Sequence, residues 1–193
     1  MNHEDIKQKV RDILNEHGGE DVLMISEDRV LLDSYIDVAI PDAVTLLANK
    51  GYRVNAKVHN ERTGDKIVLP EDFVSVLKVK LDAWKRWVTK LTEVGSPEYN
   101  MAMNEFTTPG INRPMCYKDG NVLICLPEVV NEDTGVKDGF TLEYNALYNE
   151  GDLNAEPKEA AAVCYMAAAI VMGLFGDENA KKSISEVAVN MLG

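Results

Sequence analysis

Apolar residues recur every third or fourth position at both ends of the chain and every second position through much of its middle. Near the start, Ile6, Val10, Ile13 and Leu14 share one helical face, which predicts a helix over about 3–17 stopped by Gly18-Gly19. Ser26 suits the N-cap of a second helix over about 27–49, with Val30, Leu31, Ser34, Tyr35, Val38 and Ala39 as its stripe. Pro41 has no N–H, so a kink or restart is expected there. Towards the end, the uncharged run AAAVCYMAAAIVMGLFG lies in a predicted helix of about 157–175. The run falls just short of a membrane span, is rich in alanine and lies between Glu159 and Asp177, so it reads as a buried helix. GDENA separates it from a last helix, about 178–192, with Ile184, Val187, Ala188 and Met191 on one face.

The intervening stretch, about 52–148, reads as β-rich. Tyr52, Val54, Ala56 and Val58 alternate, as do Phe140, Leu142 and Tyr144. MCYKDGNVLICLP reads as a hairpin turning at Asp119-Gly120 or Gly120-Asn121. Ser96, Pro97 and Glu98 have the order of an N-cap, a first helical proline and an acidic first turn, predicting a short helix over about 97–106. One stretch, IVLPEDFVSVLKVKLDAWKRWVTKL (Ile67 to Leu91), fits two periods. Leu77, Leu81, Trp84, Val88 and Leu91 make a helical face, whereas Leu77, Val79, Leu81 and Ala83 alternate. Pattern alone leaves both open. The expected fold class is α+β, mainly α: an antiparallel bundle of the N- and C-terminal helices with an inserted antiparallel β-region, taken as one domain over 1–193.

Charge and composition narrow the function. The chain carries 32 acidic against 20 basic residues, a formal −12. Such a surface repels DNA and anionic lipid, which argues against a free nucleic-acid-binding module and against a membrane partner. The opening segment, MNHEDIKQKVRDIL, lacks the apolar core of a secretory signal. Cys116, Cys125 and Cys164 are too few for a disulfide framework and fit a reducing compartment. Cys116 and Cys125 would face each other if the turn is Gly120-Asn121, although a native bridge is not expected; Cys164, among alanines, reads as a small core residue. His3, His17 and His59 lack metal-ligand spacing and read as solvated surface residues. NEDTGVKDGFTLE fails as a calcium loop, because placing Gly139 at the sixth position leaves Glu143 at the tenth. There is no P-loop, GxSxG or GxGxxG. No catalytic residue, metal ligand or cofactor is therefore expected, and the chain is not expected to be an enzyme.

Trp84 and Trp87 sit among Lys78, Lys80, Lys85, Arg86 and Lys90, the densest basic segment. They admit three readings: a base-stacking platform, a packed face with a solvated basic edge, or an edge that docks on an acidic neighbour such as another copy of the chain. The acidic total favours the packed face over base stacking. The loop residues Glu128, Glu132, Asp133 and Asp138 would be the opposite pole.

The order of several motifs resembles tailed-bacteriophage head-to-tail adaptor proteins, the connector or neck-ring subunits of short-tailed phages. The resemblance is carried by Leu-Pro-x-Asp-Phe (Leu69 to Phe73) with the alternating segment and tryptophan after it. It continues in GSPEY, in NRPMCYKDGNVLICLP, and in a C-terminal helix pair joined by Gly176-Asp177. It covers roughly Ile67 to Leu192. It implies strands at about Val74–Leu81 and Arg86–Thr92 turning near Asp82-Ala83. It implies a homo-oligomeric ring, usually of twelve, docked on the portal protein in the virion neck after synthesis in the bacterial host cytoplasm. Such a ring extends the DNA channel, offers a surface to the next tail or ring protein, and passes genomic DNA without sequence-specific binding. Lys78, Lys80, Trp84, Lys85, Arg86, Trp87 and Lys90 are then candidate subunit or portal contacts. Many adaptors have a long C-terminal tail that enters the portal, whereas this sequence stops at Gly193 after a predicted helix. The other reading is a small acidic binding or regulatory module with no connector role.

Overall fold

The computed structural model describes residues 1–17, 29–63, 66–130 and 137–193. The glycine stop at 18–19, the Ser26 cap, Glu132 and Asp133 lie outside them. The chain is α+β and mainly helical, with two small antiparallel sheets. It divides into two compact units, Met1–Ala56 with Ala146–Gly193, and Lys57–Asn145. The second unit falls inside the β-rich insertion expected over 52–148.

The first unit holds α1 (His3–His17), α2 (Arg29–Asn49), α4 (Pro157–Leu174) and α5 (Glu178–Leu192). Helix α4 packs against α1, α2 and α5. Its small residues make this close packing possible: Ala160, Ala162, Cys164, Ala167, Ala168 and Ala169 are all buried, as are Val163, Val171 and Met172. The Glu159 carboxylate accepts from the backbone N–H of Glu156 at its start. Gly176, at φ +82°, turns the chain, and Asp177 caps α5 by accepting from the N–H of Ala180. On α5, Ile184 and Ala188 are buried, while Val187 is exposed.

Helix α2 departs from expectation in most of its buried face. It runs through Pro41 without restarting, because the residues around the proline are anchored: Ile36, Ala39, Ile40, Ala43, Val44 and Leu47 are all fully buried. Their burial outweighs one missing backbone bond. These residues also define a different face from the stripe read in the sequence. Leu31, Ser34 and Val38 are exposed, and Leu32 and Ile36 point inward. The helix is apolar on most sides, so its own pattern does not choose the buried face. Packing against α4 and α1 does, and charge pairs line its seam with α1. Arg11 donates to Asp33 through Nε and Nη2 at 2.9 and 2.8 Å, and Lys7 reaches the Asp37 carboxylate at 2.8 Å. His3 Nε2 lies 3.0 Å from Asp37, and its Nδ1 2.9 Å from the Tyr148 hydroxyl. Positions 3, 7 and 11 ascend α1 while 37 and 33 descend α2, so the two helices are antiparallel. His3 is therefore a half-buried member of this seam and not a solvated histidine. His59 is likewise partly covered, edge-on to Phe140.

The second unit contains β1 (Ala56–His59), β2 (Ile67–Val68), β3 (Phe73–Leu81), α3 (Pro97–Ala102), β4 (Met115–Asp119), β5 (Val122–Leu126) and β6 (Phe140–Ala146). The sheets have the strand orders β1-β6-β3 and β2-β5-β4. Strand β6 buries Phe140, Leu142 and Tyr144, the residues whose alternation marked it. Asp119 pairs with Val122, so the β4–β5 turn is Gly120-Asn121, with Gly120 at φ +59°. Helix α3 begins as the sequence indicates, with Ser96 Oγ accepting from the N–H of Tyr99 and Pro97 at its start, but ends at Ala102.

Candidate interaction surface

Within the second unit, the Leu-Pro-x-Asp-Phe segment forms a corner. The N–H of Phe73 donates to Pro70 O at 3.0 Å, closing a turn, and the N–H of Leu69 donates to Asn121 O at 2.8 Å. The Asp72 carboxylate accepts from the Tyr144 hydroxyl at 2.9 Å and pairs with Lys57 at 2.6 Å. Burial pushes the Asp72 carboxyl up, but the hydrogen bonds from Lys57 and Tyr144 outweigh it and hold the group below the ordinary carboxylate value. Burial and the bond to Asp72 push the Tyr144 phenol up to about 12. Phe73 stacks on Tyr144 at 5.8 Å. The motif thus builds the start of β3 and makes no chemical site of its own.

Strand β3 resolves the ambiguous stretch. Val79 and Leu81 are fully buried, while Lys78 and Lys80 take the opposite face. The chain turns at Asp82-Ala83, as expected. The returning segment Arg86–Thr92 does not form the strand expected there. Val88 exchanges both backbone bonds with Val79, at 2.8 and 2.9 Å, and four residues later Thr92 donates to Cys116 O at 2.7 Å. The segment therefore touches β3 once and then β4, and leaves one sheet for the other too soon to pair along its length.

The seven candidate contact residues separate into three groups. Trp84 is 1% exposed, and its indole N–H donates to Pro127 O at 3.0 Å. It is a core residue, so its place among the contacts is corrected: its apolar ring fills the space under the turn. Lys78 and Lys80 lie against Trp87, with ammonium groups 4.6 and 6.0 Å from the ring centroid, and Lys78 also pairs with Glu143 at 2.9 Å. Lys85, Arg86 and Lys90 are exposed, and none is ion-paired to a carboxylate of the described residues. Trp87 is 41% exposed beside them. The two described members of the acidic pole are both engaged. Glu128 pairs with Lys137 at 2.6 Å, and the Asp138 carboxylate accepts from the N–H of Ala83 at 2.6 Å.

Exposed apolar side chains that the sequence reading left out lie on α3 and on the segments either side of it. Phe106 is 93% exposed, and Val94, Met101, Met103 and Ile111 are also exposed. The segment after α3 is held in place. The N–H of Phe106 donates to Asn104 Oδ1 at 2.9 Å, Thr107 Oγ1 donates to Met101 O, and the N–H of Lys85 donates to Ile111 O at 2.9 Å. The last bond sets Ile111 beside Lys85. Tyr99 meets Tyr117 edge-on at 5.0 Å and fixes α3 on β4. A groove of about 470 Å³ lined by Met101, Ala102, Pro109, Pro114 and Met115 adjoins it. The signal in the sequence was MAMNEF, three large apolar residues between Gly95 and Pro109 with too short a helix to bury them. Among the described residues no group of three His, Cys, Asp or Glu side chains is placed to hold a metal ion.

No family model matches the chain, and no curated protein matches it.

Proposed function

We propose that the chain is a structural connector subunit, assembling as a ring between a phage portal and tail. The motif order described above suggests the class. The observation that carries the reading is the exposure of Met101 on α3 and Phe106 after it, on a segment tied through Ile111 to Lys85, which like Arg86 and Lys90 has no ion-pair partner among the described residues. Large exposed apolar residues on a fixed backbone mark a surface made to be covered. Burying a side chain the size of Phe106 contributes about 1.5–3 kcal/mol. The adjoining cations suit an acidic partner, and the chain itself, at −12, is one. Copies of the chain are therefore the proposed neighbours, with the portal and the next tail protein at the ring's ends. The role is structural and not enzymatic, in the virion neck. The acidic excess would keep passing DNA from adhering.

The test is assembly on the portal with Phe106→Asp and with Lys85→Glu/Arg86→Glu. Loss of ring formation by folded variants supports the reading. Normal assembly of both variants at low and moderate salt contradicts it.

A further inference from the structure

The β4–β5 hairpin places two thiols opposite each other. Asp119 and Val122 flank a two-residue turn and so exchange backbone hydrogen bonds. Counting along the register, Lys118–Leu123 is a non-hydrogen-bonded pair, Tyr117–Ile124 a bonded one, and Cys116–Cys125 again a non-bonded one. The carbonyl of Cys116 agrees, since it turns away from β5 to accept from Thr92. Non-bonded pairs stand closest, with Cα atoms about 4.5 Å apart, inside the window of about 4.4–6.8 Å that a disulfide spans. Both side chains are on the buried face, and Cys116 Sγ donates to Cys125 Sγ at 3.2 Å.

The two cysteines differ in access. Cys116 is 0% exposed, whereas Cys125 is 8% exposed and lines a cavity of about 290 Å³ with Ile67, Leu81 and Leu123. The hydrogen bond with Cys125, together with burial, pushes the Cys116 thiol up. A small reagent entering the cavity therefore meets Cys125 first.

We propose that Cys116 and Cys125 are a dithiol that closes to a disulfide within the folded hairpin, with a low-molecular-weight disulfide as oxidant. The Cys125 thiolate attacks one sulfur of the reagent, whose S–S bond breaks and releases one thiolate. Cys116 then gives up its proton and attacks Cys125 Sγ, expelling the second reagent thiolate. Two protein S–H bonds become one S–S bond, and two electrons and two protons pass to the reagent, which leaves as two thiols. The bridge ties β4 to β5 at the end of the hairpin remote from its turn and rests on no assumption about the connector role.

The native chain is treated with excess oxidised glutathione and digested under thiol-blocking conditions. The expected result is a Cys116–Cys125 linked peptide, with Cys164 still free, an unchanged circular-dichroism spectrum and a raised melting midpoint that dithiothreitol reverses. With Cys116→Ser, a glutathione adduct should accumulate on Cys125, which the wild-type chain resolves. A persistent adduct on wild-type Cys125, or linkage only after denaturation, overturns the proposal. Should Cys116→Ser fail to fold, the wild-type peptide map decides alone.

Discussion

At the scale of single residues, Asp37 shows how one carboxylate can hold two helices. Burial alone would push it up, yet the hydrogen bonds and charges of Lys7 and His3 outweigh that and hold it below its ordinary value of 3.8. A carboxyl depressed in the folded state contributes stability that is complete above the unfolded value and is lost as pH falls through the folded one. The acid limb of a stability–pH curve should therefore extend below 3.8. Asp37→Asn should lower stability at neutral pH by about 1–2 kcal/mol, allowing for its partial exposure, and should flatten that limb in urea melts. Gly120 makes a second residue-scale case. Its φ of +59° lies in the left-handed region, with nothing within 4 Å of an added Cβ, so the obstacle is backbone conformation and not space. Gly120→Val should cost about 1–2 kcal/mol, and Gly120→Asn, which tolerates that region, should cost clearly less in the same melts.

At the scale of elements, α4 is the centre of the helical unit. Ala168 is fully buried, so Ala168→Phe overpacks the bundle and should destabilise it by about 1–3 kcal/mol. An unchanged unfolding midpoint would mean that this face is not packed. The same helix shows what could be read from the sequence. Its alanine run, the stripe on α1 and the alternation of β6 each carry a clear local signal that the structure follows, and the β4–β5 hairpin does too, with the structure choosing Gly120-Asn121 of the two turns the sequence left open. The misreadings have a common cause. On α2 both Leu31–Val38 and Leu32–Ile36–Ile40 make acceptable stripes, and the choice depends on packing against α4 and α1, which are distant in sequence. Between Arg86 and Thr92 the alternation is real, but the chain changes sheets after Val88, which no local pattern records. In the candidate surface, Lys85, Arg86, Lys90 and Trp87 were legible as a cluster. The burial of Trp84 depends on the carbonyl of Pro127, and the exposure of Phe106 on the shortness of α3, and both are tertiary facts.

At the scale of the whole molecule, the charge balance and the exposed apolar side chains act together. Copies at −12 repel one another, so a closed ring needs contacts that offset that repulsion. Phe106 and its neighbours would contribute most of the affinity, while Lys85, Arg86 and Lys90 would set register and encounter rate. Salt screens the net repulsion as well as the local attraction, so assembly by the wild-type chain should depend only weakly on salt, whereas Lys85→Glu/Arg86→Glu should assemble more slowly at low salt and speed up as salt rises. Light scattering over a salt series checks both. The most direct test is negative-stain imaging of the purified chain mixed with the portal ring that the connector account assigns to it. The connector account predicts a closed annulus, twelvefold if the resemblance extends to stoichiometry, coaxial with the portal. A chain that stays monomeric and unbound in the presence of intact portal rings would contradict it.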